Sequence, residues 1–130
     1  MASKQNVVPK SVLLVEDDPA LRKLVQGYLK VLGFAVFEVA DGKKAMSALG
    51  EQKFDLLVLD LMLPESSGYD VLEFMRANGH AKTPVLMMSA RSLPEDRAHA
   101  EELGATMYLI KPFSRGDFTK AVKQVIETKA

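Results

Sequence analysis

The chain contains no cysteine. Disulfides, thiolate zinc sites and cysteine nucleophiles are therefore excluded together. It carries no excess charge either, with 17 Lys and Arg against 17 Asp and Glu. Bulk charge thus gives no polyanion-binding surface, and direct nucleic-acid contact is not expected. No segment approaches the ~20 apolar residues that span a bilayer, so membrane insertion is not expected. Residues 1–9 lack the apolar core of a signal peptide and read as a flexible N-terminal leader that includes Pro9. The expected location is the cytoplasm, where an absence of thiols is compatible with reducing conditions. There is no internal linker, low-complexity tract or solenoid repeat.

What remains is an ordinary globular composition: 130 residues, 48% hydrophobic and 26% charged, enough for one domain with a core of useful size. Strand-like and helix-like patterns alternate five times. Ser11-Val12-Leu13-Leu14-Val15 is a short apolar run, and Asp18-Pro19 after it is a helix opening with a cap and a first-turn proline. Leu21, Leu24, Val25, Tyr28, Leu29 and Leu32 then form one apolar stripe, closed by Gly33. Residues 34–39 read as a strand, and Asp41-Gly42 leads into a helix around Ala45, Met46 and Leu49. Phe54 to Asp60 is the central strand. A helix with Val71, Leu72 and Met75 inward follows. Pro84 to Met88 is the fourth strand, and the helix after Pro94 is the least apolar of the set. Thr106 to Ile110 is the fifth strand, and the last helix carries Phe118, Ala121, Val122, Val125 and Ile126. Such alternation implies βαβ units and a mostly parallel sheet. Right-handed crossovers put every strand's C-terminal end on one edge.

That edge carries the chemistry. Asp60 closes an apolar run of the kind buried on both faces of a sheet. Glu16-Asp17 follows the first strand, Ser89 the fourth and Lys111 the fifth. Acids, a hydroxyl and an ammonium at strand ends are the groups that hold a divalent cation and a phosphoryl group together. Each has a bland reading beside the sharp one. Asp60 alone is equally a strand-ending turn cap, Lys111 a surface lysine and Tyr108 a static half-buried ring. Asp18 reads as a helix cap rather than a metal ligand. His80 and His99 have no second metal ligand near them in sequence and read as exposed histidines. The seven methionines read as core filler.

Leu13-Leu14-Val15-Glu16-Asp17-Asp18-Pro19, Leu57-Val58-Leu59-Asp60-Leu61-Met62-Leu63-Pro64 with Gly68, Met88-Ser89-Ala90 and Tyr108-Leu109-Ile110-Lys111-Pro112-Phe113 resemble the receiver domain of two-component response regulators. The likeness covers residues 10–128, so residues 10–130 are read as a receiver domain like a single-domain chemotaxis regulator. The resemblance implies an α/β, flavodoxin-like (βα)5 three-layer sandwich with a parallel five-stranded sheet in order 2-1-3-4-5. It implies that Asp60 accepts a phosphoryl group from a phosphohistidine on a histidine kinase or phosphotransfer protein. It implies Mg²⁺, with Mn²⁺ as a substitute, held by Asp17, Asp60 and the Met62 backbone carbonyl, and by Glu16 through a water. Ser89 corresponds to the hydroxyl that binds the phosphoryl group, Lys111 to its partner cation and Tyr108 to an aromatic switch. Lys111-Pro112 resembles a bond that is usually cis. The loop Pro64-Glu65-Ser66-Ser67-Gly68 is more polar than the family's frequent version, and Ser stands at 89 where Thr is commoner.

On this reading three neighbouring carboxylates repel and bind protons more tightly without metal, and a divalent cation keeps them ionised. Phosphoryl transfer needs mainly positioning and charge stabilisation. Ser89 is expected to move inward, and Tyr108 to rotate from solvent into the vacated space. The surface of the fourth helix, fifth strand and fifth helix would then change for a downstream target protein, an output domain or a phosphorelay partner. Met62 and Arg91, two residues past Asp60 and Ser89, are expected to modulate attack of water on the phosphoryl group. The last helix is expected to run almost to Ala130 and to leave no room for an output domain in this sequence, which fits either a stand-alone regulator or a receiver trimmed from a larger regulator or hybrid kinase. An aspartyl phosphatase of the haloacid dehalogenase type is the enzyme alternative, but it needs an acid where Met62 stands. A flavodoxin needs a Ser/Thr/Gly-rich phosphate loop where Glu16-Asp17-Asp18 stands, and no P-loop or dinucleotide motif is present. The chain is thus expected to catalyse only its own phosphorylation and dephosphorylation.

Overall fold

The computed structural model describes residues 10–129; the leader expected at residues 1–9 lies outside them. Five strands and five helices alternate: β1 Ser11–Val15, α1 Pro19–Val31, β2 Ala35–Val39, α2 Gly42–Glu51, β3 Leu56–Asp60, α3 Gly68–Ala77, β4 Val85–Ser89, α4 Pro94–Glu102, β5 Met107–Ile110 and α5 Arg115–Lys129. All strand pairs are parallel, in the order β2-β1-β3-β4-β5. The fold is the flavodoxin-like sandwich. No helix among the described residues is long and apolar enough to cross a membrane.

Burial explains the central runs. Every residue of β3 and β4 is buried, because side chains alternate between two covered faces. Leu13, Val15, Leu57, Leu59, Val85 and Met87 pack under Ala45, Leu49, Val71, Leu72, Met75 and Ala100 of α2, α3 and α4. Val12, Leu14, Leu56, Val58, Leu86 and Met88 pack on the opposite side against Val25, Leu29, Phe118, Ala121, Val122 and Val125 of α1 and α5. The edge strand β2 has no fully buried residue, since it has a neighbour on one side only.

Helix starts follow from local chemistry. The Asp18 carboxylate accepts from the Ala20 N–H at 3.0 Å with Pro19 opening α1, the capping role expected for Asp18. Asp41 accepts from the Lys44 N–H at 2.8 Å. Ser67 and Asp70 form a reciprocal capping box at α3. Only α4 of these four begins without a side-chain cap.

Two expectations fail. Leu24, placed on the apolar stripe of α1, is 50% exposed; the residues of that helix that are fully buried are Val25 and Leu29, and Leu24 lies at the margin of the stripe. His80 is buried, not exposed. Its Nε2 lies 2.6 Å from the Leu49 carbonyl, so the ring ties the end of α2 to the loop before β4. His99 is half-exposed and packs edge-on against Tyr69.

Candidate functional site

Register brings the strand ends together. Val15 pairs with Leu59, Asp60 with Met88 and Ser89 with Ile110. Glu16 and Asp17 therefore emerge beside Asp60, and Lys111 emerges one strand beyond Ser89. The Lys111 Nζ donates to Glu16 Oε1 at 2.9 Å and to Asp60 Oδ2 at 3.2 Å. These contacts join residues 95 and 51 positions apart in sequence. Carboxylate oxygens of Glu16, Asp17 and Asp60 all lie within 4.8 Å of one another. Glu16 and Asp60 are buried and Asp17 is exposed, so the cluster is walled on one side and open on the other.

The two buried acids, Glu16 and Asp60, are each held by their own strand-to-helix turn. Glu16 Oε2 accepts from the Asp18 N–H at 3.0 Å, and the Arg22 guanidinium donates to the Glu16 carbonyl at 2.9 Å. Asp60 Oδ1 accepts from the Met62 N–H at 3.1 Å. The Gly68 N–H donates to the Leu61 carbonyl at 2.8 Å. A Cβ on Gly68 would stand 2.7 Å from the Asp60 carbonyl oxygen and 2.9 Å from the Leu61 Cα. Glycine is required there because the start of α3 closes directly against the end of β3. Met62 itself is largely exposed. The Lys111–Pro112 bond is cis.

The electrostatics are those of an anionic pocket short of positive charge. Burial pushes the Glu16 carboxyl up to about 7, against the opposing pull of the Lys111 hydrogen bond. Burial also raises Asp60, outweighing the Lys111 charge. For Lys111 the order reverses: burial works against the ammonium, but Glu16 and Asp60 together raise its proton affinity. Among the described residues, Lys111 is the one cation paired with the three-carboxylate cluster, which leaves room for more positive charge.

The other half of the site lies on β4, β5 and the loop into α4. Ser89 is fully buried, and its Oγ accepts from the Arg91 N–H at 3.0 Å. Tyr108 is 5% exposed and donates its hydroxyl to the Arg91 carbonyl at 2.8 Å. A solvent-facing starting position was expected for this ring; the hydroxyl bond and Arg97, 5.8 Å above the ring centroid, keep it inside instead. Sequence reading also missed Arg22 and Asp96. Arg22 sits six residues past Glu16 and reaches back to it, a spacing visible in the sequence. Asp96 pairs with Arg91 Nε at 3.0 Å, an ordinary i to i+5 acid–base spacing that carries no distinctive signal.

With the geometry in place, comparison with known proteins fixes the class. The response regulator receiver domain model matches residues 12–123, and the chain belongs to this family. It is 37% identical to the transcriptional regulatory protein GltR of Pseudomonas aeruginosa over 118 residues, 90% of this chain and 49% of that protein. It is 37% identical to the transcriptional regulatory protein CpxR of Escherichia coli over 115 residues, 88% of this chain and 48% of that protein. The chain thus spans about half the length of the curated relatives it matches. Among solved structures it resembles the receiver domain of the sensor histidine kinase PA1611 of Pseudomonas aeruginosa, at a TM-score of 0.83 and 30% identity, covering 92% of this chain and 99% of that one. That domain was crystallised with a magnesium ion coordinated in its active site cleft. The chemotaxis protein CheY4 of Vibrio cholerae superposes at a TM-score of 0.86 with 28% identity, covering 91% of this chain and 99% of that one.

Proposed function

We propose that this receiver takes a phosphoryl group onto Asp60 from a phosphohistidine of a histidine kinase or phosphotransfer protein. The observation that carries the reading is the shared Lys111 ammonium, 3.2 Å from Asp60 and 2.9 Å from Glu16, beside a three-carboxylate cluster. A carboxylate oxygen of Asp60 forms the new bond to phosphorus, and the P–N bond of the donor breaks with its electron pair leaving on the imidazole. The cluster of Glu16, Asp17 and Asp60 fits Mg²⁺, which prefers oxygen ligands, and Mn²⁺ as a substitute. Asp17, Asp60 and the Met62 carbonyl would ligate it directly and Glu16 through a water. The bound cation would neutralise the cluster and withdraw charge from the phosphoryl oxygens.

The chain's own groups do the rest. The Met62 N–H holds Asp60 Oδ1, which fixes the plane of the carboxylate. Lys111 already lies against Asp60 Oδ2 and pairs with the incoming phosphoryl oxygens. Ser89 Oγ uses a lone pair to accept from Arg91, so its hydroxyl hydrogen is available to a phosphoryl oxygen. Drawing Ser89 toward the phosphoryl group shifts Arg91, the carbonyl of which carries Tyr108. The change then reaches α4, β5 and α5, the surface offered to a target protein or output domain. Met62 and Arg91 flank the site and modulate attack of water on the acyl phosphate. The domain catalyses its own phosphorylation and dephosphorylation only.

Incubation with acetyl phosphate and Mg²⁺, read by intact mass, tests this. One phosphoryl adduct is expected, labile to hydroxylamine, suppressed by chelation and absent in Asp60→Asn. An unmodified mass, or an equal adduct in Asp60→Asn, would refute it.

A further inference from the structure

We propose that Asp96, through its ion pair with Arg91, is a positioning residue that sets how firmly Tyr108 is held inside the protein. As a control on the switch, this role rests on the phosphoacceptor reading above. Arg91 is the junction of the β4–α4 segment. Its N–H donates to Ser89 Oγ at 3.0 Å, its carbonyl accepts from the Tyr108 hydroxyl at 2.8 Å, and its Nε donates to Asp96 Oδ1 at 3.0 Å. The two backbone bonds are open to any residue but proline at 91. The third needs an arginine here and an acid at 96.

The surroundings give that third bond its weight. Helix α4 has no side-chain cap at Leu93, and Asp96 and Ala100 are its buried residues. The Asp96 side chain is 9% exposed while Arg91 is 51% exposed, so the pair is shielded from the acid's side. Among the described residues, the buried Asp96 Oδ2 has no hydrogen-bond partner. Half of the carboxylate's accepting capacity is therefore unused, and Arg91 is the charged donor in contact with it. A buried, half-satisfied carboxylate holds its one charged donor more strongly than a surface pair would. Loss of the pair frees the Arg91 backbone, and with it the carbonyl that anchors Tyr108.

Selectively ¹³C-labelled tyrosine tests the proposal by NMR, because the chain has three tyrosines and no tryptophan. Broadening by a soluble paramagnetic probe then reads the exposure of each ring in the full, unphosphorylated chain. Asp96→Asn removes the charge and keeps the shape. Arg91→Gln removes the ion pair and keeps both backbone groups of residue 91. Each is expected to raise Tyr108 broadening roughly three- to tenfold, as a shielded charge pair of this kind implies, and to leave Tyr28 unchanged. The double variant is expected to match the singles, since one interaction is lost in all three. Acetyl phosphate with Mg²⁺ is expected to restore protection. Unchanged Tyr108 broadening, additive effects, no restoration in a chain that mass spectrometry shows to be phosphorylated, or equal broadening of all three tyrosines would each overturn the proposal. The unphosphorylated measurement is independent of Asp60, so a chain that takes no phosphoryl group overturns the phosphoacceptor reading and leaves the control of Tyr108 by Asp96 to be decided by the broadening.

Discussion

Helices α3 and α4 flank the same rim and are built in opposite ways. Helix α3 opens with a reciprocal Ser67–Asp70 box and buries Gly68, Val71, Leu72 and Met75. Helix α4 opens on Leu93 without a side-chain cap and buries Asp96 and Ala100. Gly68 packs α3 directly against the Asp60 backbone, whereas α4 is tied to the rim by the Arg91–Asp96 pair. On the proposed function, the difference divides the site into a tightly packed flank around Asp60 and a flank around Arg91 that is expected to be the easier of the two to repopulate. If Asp60 takes a phosphoryl group as proposed, the first flank would hold the carboxylate in line and the second would carry the effect to the surface.

Breaking the packed flank should produce the largest effect. Gly68→Ala puts a Cβ into the Asp60 and Leu61 backbone and is expected to cost about 2–4 kcal/mol in urea unfolding. Ala98→Gly, on the exposed side of α4, should cost only ~1 kcal/mol, the propensity difference alone. Equal losses would erase the distinction between the helices.

Next comes the charge on the packed flank. The Glu16 carboxyl, raised from 4.5 to about 7 by burial, stays protonated in the folded chain where the unfolded chain has released its proton. Its contribution is therefore full below pH 4.5 and is lost as pH rises through about 7. Metal-free stability should fall by up to ~3 kcal/mol across that window. Mg²⁺ should then stabilise the chain more at pH 7.5 than at pH 5, as read by thermal unfolding at both. A metal effect independent of pH would contradict the anionic pocket.

Smaller effects should come from the caps. Ser67→Ala removes half of the α3 box and should cost ~1 kcal/mol. Leu93→Ser supplies the hydroxyl that α4 lacks and should stabilise by up to ~1 kcal/mol. A neutral Leu93→Ser would mean that the loop before α4 does not present residue 93 in capping geometry.

The packed flank was also the more legible one in the sequence. Asp60, Glu16, Asp17 and Lys111 stand at the ends of apolar runs, and a parallel sheet turns that position into proximity. The cap at Asp18 marked a helix start for a local reason as well, and Asp41-Gly42, legible as a turn into α2, proves to be a cap too. The strand order came from family likeness, because alternation alone does not choose among parallel topologies. What stayed hidden depends on tertiary contact. Leu24 lies on the expected stripe yet faces solvent, and His80, in an apparently polar loop, is drawn inward to the Leu49 carbonyl. The inward Tyr108 and the Arg91–Asp96 pair arise from where the loop after β4 meets α4 and β5. No spacing in the chain encodes that meeting.

Amide hydrogen exchange on the intact chain, with and without acetyl phosphate and Mg²⁺, tests the division of the site most directly. Phosphorylation should change protection across residues 89–110 while residues 56–77 keep theirs. Equal change on both flanks, or change confined to α3, would contradict it.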